Sequence, residues 1–242
     1  MNCMKYSFAA SLLLASGCLF AQGTSPVQAA NNTPQSIVTS SNLPAPLQII
    51  PEKDIAWKKR VWRQIDANDV ANSVLMPSGK PNSNQLTNVL VAGAMGGSIK
   101  AYSAADDQFT AVLTKDELSA VLSAAGFNPD KIFKYQIKED WLFVKKGNDA
   151  GKMTVRIVGL APVAAITNGD GTTTEKPLFW IYFPDSRDFL AQHQISSNST
   201  ETWLSYFENR QFKSKIDKVG NQSKNGADTY DNADVQFEQL NH

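Results

Sequence analysis

Residues that commonly carry chemistry are scarce in this chain. Its 242 residues include only two cysteines and two histidines. So few nucleophiles and metal ligands exclude most thiolate and imidazole chemistry. Charge is also balanced, with 23 basic and 23 acidic residues, so no positive excess is present to hold nucleic acid or an anionic membrane surface. The composition is typical of one ordinary globular domain with tails.

The N-terminus has the composition of an export signal. Lys5 is the only charged residue before Glu52, and an apolar run extends from Phe8 to Phe20. The run is too short to span a bilayer and has the length of a signal-peptide core. We therefore predict a signal peptide over residues 1–21, cleaved after Ala21, and a mature protein beyond the inner membrane.

Three alternatives for this segment remain open. Cleavage after Ala29 is one, a lipoprotein signal that acylates Cys18 is another, and a buried N-terminal helix is the third. Cleavage after Ala21 would remove both Cys3 and Cys18, so the mature protein would have no disulfide. A domain of about two hundred residues can rely on its apolar core instead.

The rest of the chain divides into three parts by composition. Residues 22–50 are rich in polar residues and contain no charged one, which predicts a flexible leader. Residues 51–220 hold the apolar patterns and are expected to form one α+β domain. Residues 221–242 are polar again and are predicted to be a tail.

The first patterned segment is interpreted as an N-terminal helix from Glu52 to about Leu75. Pro51 precedes acidic residues, which is a common helix start. On a helical projection the apolar arc is wider than the usual stripe of about 100°. One interpretation places the whole arc in a single core. The other makes it a partner interface, with these candidate residues: Trp57, Arg60, Trp62 and Arg63.

An antiparallel hairpin is the clearest prediction for the centre of the chain. Residues 134–144 and 152–158 alternate between apolar and polar side chains, and turn-forming residues separate them. The alternation predicts that Trp141 belongs to the core. Adjacent Glu139 and Asp140 must point to opposite faces, so they cannot address one substrate. One of them is expected to pair with Arg156 across the hairpin.

Helices are predicted on both sides of this hairpin. One ends at Gly96-Gly97, and a second begins at a capping box formed by Thr114 and Glu117. A C-terminal amphipathic helix is predicted from Ser199 to about Lys218. The expected fold is therefore α+β, with an N-terminal helix, a central antiparallel hairpin or sheet and a C-terminal amphipathic helix.

Motifs for catalysis and for metal or cofactor binding are weak. His193 stands near a predicted helix end without a nucleophile motif, and the Asp170 loop matches a calcium loop only in part. We therefore predict no catalytic residue, no metal site and no cofactor. The alternative is a periplasmic hydrolase or a small-ligand-binding protein, which would need a pocket of convergent polar groups.

Four segments together resemble one family. They share aromatic residues interleaved with charged ones, and they are residues 57–66, 100–110, 137–162 and 207–212. The tryptophan–arginine motif in the first and the Glu-Asp-Trp strand in the third are the most specific. In order and spacing they resemble the GldN/PorN family of gliding-motility proteins, over roughly residues 50–220.

The resemblance implies a non-enzymatic role in the type IX secretion system. It implies a periplasmic subunit at the inner face of the outer membrane, in a ring with a GldK/PorK-type lipoprotein. It further implies self-association in that ring, possible contact with GldL- and GldM-type motor proteins, and membrane association only through partners.

Overall fold

Antiparallel strands dominate the fold. The computed structural model describes residues 44–79, 84–106, 108–167, 169–222 and 228–230, so the predicted signal peptide lies outside the described residues. Within these ranges eight strands form one sheet, in the order β2-β6-β4-β3-β1-β7-β8, with β5 paired to β4. The strands are β1 (Ile55–Asp66), β2 (Ala101–Ser103), β3 (Lys134–Val144), β4 (Met153–Thr167), β5 (Thr173–Pro177), β6 (Phe179–Tyr182), β7 (Lys215–Gln222) and β8 (Asp228–Tyr230).

Helices supply the second layer of the fold. The α-helices of the described part are α1 (Leu86–Gly96), α2 (Lys115–Ala124), α3 (Phe183–Ala191) and α4 (Trp203–Glu208). The described part also has three short 3-10 helices: Glu52–Asp54 before β1, Val70–Leu75 between β1 and α1, and Pro129–Lys131 between α2 and β3. The mixture of helices with an antiparallel sheet confirms the predicted α+β class.

The predicted N-terminal helix is wrong, because that segment is strand β1. It lies between β3 and β7, pairs antiparallel with both, and is covered on both faces at its centre. Arg60, Val61 and Trp62 are therefore buried in succession, which removes the alternation that marks a half-exposed strand. The unusually wide apolar arc was the signature of a central strand, and its β-branched and aromatic residues suit one.

Two other helix predictions are confirmed. Helix α1 ends at Gly97, whose φ of 80° is the left-handed conformation that glycine adopts without strain. Helix α2 has the predicted capping box: the Thr114 backbone N–H donates to Glu117 Oε2 at 2.8 Å, and the Glu117 N–H donates to Thr114 Oγ1 at 3.2 Å.

The predicted C-terminal helix is real but far shorter. It begins after Thr202 rather than Ser199 and ends at Glu208. Arg210 then adopts a φ of 53°, and the Gln211 N–H closes the turn on the Tyr206 carbonyl at 3.0 Å. The chain turns away into β7, so the segment before Lys218 is strand. Further on, β8 lies within the segment predicted as a polar tail.

The predicted hairpin is confirmed as β3 and β4. Their register places Trp141 opposite Val155 and Phe143 opposite Met153. The core position predicted for Trp141 is wrong, since its side chain is only half-buried and Phe143 is 40% exposed. The alternation of apolar and polar side chains along β3 is as predicted. The helices, however, cover this side of the sheet only around Tyr135 and Ile137 and leave the end with Trp141 and Phe143 open.

The main core lies between the sheet and the helices. Its sheet side includes Ile65, Tyr135 and Ile137, all fully buried. We call this side of β1, β3 and β4 the helical face and the opposite side the polar face. A smaller cluster packs on the polar face, formed by Trp62, Tyr102, Ala161 and Trp180 with Phe109 and Tyr182 against it.

Part of the predicted leader contacts the domain. Residues 44–50 form neither helix nor strand. The Ala45 carbonyl accepts a hydrogen bond from Arg187 Nη1 at 2.8 Å, and the Gln48 carbonyl accepts one from Arg156 Nη2. Arg156 is thus used here rather than in the predicted pair with a carboxylate of β3.

Candidate interaction surface

An exposed apolar patch occupies the end of the helical face that the helices leave open. Pairing of β1, β3 and β4 aligns it in two rows across the strands. We call it the apolar patch, and its residues are Trp57, Phe143 and Met153 in the outer row and Lys59, Trp141 and Val155 in the inner row.

Its exposure is unusual for residues of this size. Trp57 is 37% exposed, Phe143 40% and Met153 49%. Isolated apolar residues on a surface are ordinary, but a contiguous group on neighbouring strands marks an interaction site. Aromatic residues and methionine are also the types enriched at interfaces.

The patch has a basic surround. Lys59 Nζ lies 5.5 Å from the centre of the Trp57 ring, within the range of a cation–π contact. The β3–β4 turn next to the outer row carries exposed Lys145, Lys146 and Lys152. Lys152 Nζ lies 3.5 Å from Asp149 Oδ1, so Lys145 and Lys146 leave the turn with a positive excess. An apolar surface with lysines along one side favours a partner whose apolar side chains are flanked by acidic ones.

A buried carboxylate marks the boundary between the patch and the core. Glu139 is fully buried in the row next to Trp141. Trp141 Nε1 donates to its Oε2 at 2.8 Å, and Arg210 Nη2 forms an ion pair with its Oε1 at 2.8 Å. That ion pair lacks the geometry of a directed hydrogen bond. The hydrogen bond to buried Glu139 therefore fixes the orientation of the Trp141 indole ring.

The polar face carries a second group of charges. Asp140 Oδ1 accepts from Arg60 Nε at 2.5 Å, and its Oδ2 lies 3.0 Å from Lys58 Nζ. As expected from strand geometry, Glu139 and Asp140 point to opposite faces. The sequence missed their partners because Arg60 and Arg210 are distant in the chain.

A cavity of about 390 Å³ opens beside these charges. We call it the Arg60 pocket, and its lining residues are Lys58, Arg60, Tyr102, Gln108, Phe109, Asp140, Val158, Tyr182 and Asp185. Burial and then the nearby charge of Asp185 raise the pKa of both Tyr102 and Tyr182. No sequence pattern indicated this convergence, since these residues come from β1, β2, β3, β4, β6, α3 and the loop before α2.

The four residues nominated from the sequence do not form one surface. Trp57 belongs to the apolar patch. Arg60 and Trp62 are 6% and 2% exposed and are held inside the fold, where Lys218 Nζ lies 4.0 Å from the Trp62 ring. Arg63 is half-buried, and its Nε donates to Ser214 Oγ at 2.9 Å. Trp57 instead shares the apolar patch with Trp141, Phe143, Met153 and Val155, four residues that the sequence had assigned to the core or left unassigned.

Comparison with known families decides what kind of protein this is. Residues 50–242 match the family described as "Gliding motility associated protein GldN". The chain belongs to the GldN family. A comparison with curated proteins gave no match. The match covers β1, β3 and β4 entirely, and therefore the apolar patch, and it confirms the resemblance drawn from the tryptophan–arginine motif.

Membership of the GldN family makes this chain a component of the gliding-motility and type IX secretion machinery. GldN is not a known enzyme family. No helix among the described residues is long and apolar enough to cross a membrane.

In this GldN member, the two groups that the sequence suggested for catalysis or calcium binding, His193 and the Asp170 loop, make local structural contacts. His193 Nδ1 lies 2.8 Å from the Phe189 carbonyl, and its ring stacks on Phe189 at 4.2 Å. Asp170 accepts from the Thr172 N–H at 2.9 Å in the β4–β5 turn. Across the described ranges, no group of three or more histidine, cysteine or acidic residues could hold a metal ion.

Proposed function

We propose that this chain is a non-enzymatic structural subunit of the type IX secretion and gliding machinery. In this proposal it is exported to the periplasm, lies at the inner face of the outer membrane, and assembles with a GldK/PorK-type lipoprotein and with copies of itself into a ring. GldL- and GldM-type motor proteins would act on that ring, and membrane association would come only through partners. Family membership supports a role in the machinery, and the exposed apolar patch supports the scaffold role.

The observation that carries this proposal is the apolar patch. Its two rows lie on paired strands, so their positions are fixed before a partner arrives, and little ordering entropy is lost on binding. A central aromatic group with a charged surround is the usual arrangement of a protein interface. An acidic surface on the lipoprotein would complement the exposed Lys145 and Lys146 of the β3–β4 turn.

The test is assembly with the lipoprotein. We would compare the wild-type chain with the double variant Trp57→Ser and Phe143→Ser, measuring particle size by light scattering after co-purification. Trp57 and Phe143 are 37% and 40% exposed, so the double variant loses part of their burial as well as the cross-strand pair and should cost about 2–4 kcal/mol of folding stability. We expect a folded protein that no longer enters the large particle.

A matched control is available on the same chain. Val70 is 88% exposed and lies away from the patch in the 3-10 helix after β1. Val70→Ser removes a similar exposed apolar group and should leave assembly unchanged. Normal particles from the double variant, or equal losses from both variants, would show that the patch is not the docking surface.

A further inference from the structure

One buried cation in the Arg60 pocket has an unused donor. Arg60 is 6% exposed, and its Nε donates to Asp140 Oδ1 at 2.5 Å. Its Nη1 is also buried but has no hydrogen-bond partner among the described residues. Buried polar atoms in native proteins nearly always have a partner, so a buried guanidinium N–H beside a cavity points to an acceptor that enters from outside.

The neighbouring carboxylate is already committed. Asp140 uses Oδ1 for Arg60 and Oδ2 for Lys58, at 2.5 and 3.0 Å. Two cations facing one carboxylate leave a net positive charge at the floor of the pocket. Lys138 adds to it from below, where its Nζ lies 4.1 Å from the Trp180 ring and 4.7 Å from the Phe109 ring.

The walls of the pocket are aromatic. Phe109 packs edge-on against Tyr102 with ring centres 5.5 Å apart, and its ring centre lies 5.3 Å from that of Tyr182. Both phenols are protonated at neutral pH, so each hydroxyl can donate a hydrogen bond. Asp185 stands exposed on the rim and would repel an anion that remained outside.

We propose that the Arg60 pocket binds a carboxylate group carried on an aromatic or other apolar residue. The carboxylate would accept from Arg60 Nη1 once the side chains that cover this buried atom move aside, and its apolar neighbour would pack against the ring of Phe109. A planar guanidinium fork is the side chain best suited to pairing with a carboxylate. The cavity of about 390 Å³ is large enough for a group the size of one amino acid.

This site is separate from the proposed assembly function. Arg60 and Lys58 lie on the polar face, whereas Trp57 and Lys59 lie on the helical face, because successive strand residues point to opposite sides. The carboxylate has two conceivable sources, a small free acid or the C-terminal carboxylate of a protein.

The first experiment uses phenylacetate and its uncharged analogue phenylacetamide. Each is titrated into the full chain at pH 7, with binding followed by NMR chemical shifts. Phenylacetate should saturate the protein, and the amide should bind at least about tenfold more weakly because it cannot form the charged hydrogen bond. Equal binding of the two, or no saturable binding of phenylacetate, would overturn the proposal.

Two variants should move the affinity in opposite directions. Arg60→Lys keeps a positive charge beside Asp140 but removes Nη1, so phenylacetate should bind at least about tenfold more weakly. Asp185→Asn removes the repulsion at the rim and should tighten binding about two- to fivefold. Asp185 is exposed, so this variant keeps the test decisive if Arg60→Lys does not fold. An Asp185→Asn affinity that is unchanged or weaker would contradict the inference.

A peptide pair identifies the source of the carboxylate. A short peptide that ends in phenylalanine with a free carboxylate is compared with its amidated form. Tighter binding of the free peptide than of phenylacetate assigns the pocket to a protein C-terminus, whereas equal affinity assigns it to a small acid. Asp185→Asn should assemble normally with the lipoprotein, so failure of this inference and failure of the assembly proposal are distinguishable.

Discussion

At the scale of single residues, the two carboxylates of β3 show how one dipeptide serves both faces of the sheet. Glu139 meets Arg210 and Trp141 on the helical face, and Asp140 meets Lys58 and Arg60 on the polar face. A charge that is fully buried is tolerated only with a partner. The alternation of side chains along a strand predicted that Glu139 and Asp140 point to opposite faces. Their partners could not be predicted, because the tertiary fold brings them from distant parts of the chain.

Removal of Arg210 should therefore be damaging although its side chain is 40% exposed. Arg210→Met leaves Glu139 buried without its cation and should cost about 2–4 kcal/mol. Urea unfolding measures this loss. The matched control is the double variant Glu139→Gln with Arg210→Met. It should recover much of the lost stability, because the buried side chain at residue 139 is then uncharged and needs no cation. Equal stabilities for Arg210→Met and the wild type would show that the ion pair contributes nothing.

Asp106 should contribute stability that depends on pH. Partial burial alone would raise the pKa of its carboxyl, but hydrogen bonds from Ala111, Gln108 and Thr110 outweigh burial and lower it to about 2. Its contribution is thus fully present above the ordinary value of 3.8 and is lost as the pH falls through about 2.

The measurement compares the wild type with Asp106→Asn in urea at several pH values. The wild type should be more stable at pH 5, and the difference should shrink steadily below pH 4. A constant difference down to pH 2 would mean that this carboxylate does not titrate with folding. The loop that it ties together carries Phe109, so its loss should also loosen the wall of the Arg60 pocket.

At the scale of elements, α1 contacts α3 through a glycine. A Cβ added at Gly93 would lie 2.4 Å from Cζ of Phe189, whereas one at Gly96 would find Ser98 Oγ as its nearest neighbour at 3.9 Å. Gly93→Ala must displace the ring and should cost about 1–3 kcal/mol. Gly96→Ala, on the same helix, should instead stabilise by about 0.4–1 kcal/mol.

Thermal melting of the two alanine variants tests this contrast. Because both substitutions add one methyl group to one helix, differences in intrinsic propensity largely cancel. If Gly93→Ala melted at or above the wild-type temperature, α1 and α3 would not approach each other at this residue.

Elements with local signals were predictable from the sequence, and elements set by long-range pairing were not. The Gly97 helix end, the Thr114 capping box and the β3–β4 turn depend on residues close in the chain. Strand β1 was mistaken for a helix because cover on both faces removes alternation, and β7 because its pairing with β1 is long-range. For the candidate surface, Trp57, predicted as a partner-interface residue, is partly exposed, and its role in an interface stays a prediction. Trp141 was placed in the core because periodicity cannot show where a helical layer ends.

At the scale of the whole molecule, the two faces of the sheet have different tasks. The helical face provides the main core and, past the helices, the apolar patch, while the polar face provides buried ion pairs and the Arg60 pocket. Trp57 and Arg60 are three residues apart on one strand but belong to opposite faces. Stability and assembly should therefore be separable by substitutions within β1.

We expect Trp57→Ser and Arg60→Ala to fail in different ways. Trp57→Ser removes a ring that is 37% exposed, so it should lower the melting temperature less than Arg60→Ala does while weakening entry into the large particle with the lipoprotein. Arg60→Ala leaves Asp140 with Lys58 alone and opens a space at the floor of the pocket, so it should cost about 2–4 kcal/mol of folding stability. Once folded at low temperature, it should still assemble, because Arg60 is not exposed on the patch.

Melting curves and particle size measured on the same preparations separate the two effects. Assembly lost in Arg60→Ala but retained in Trp57→Ser would place the docking surface on the polar face instead.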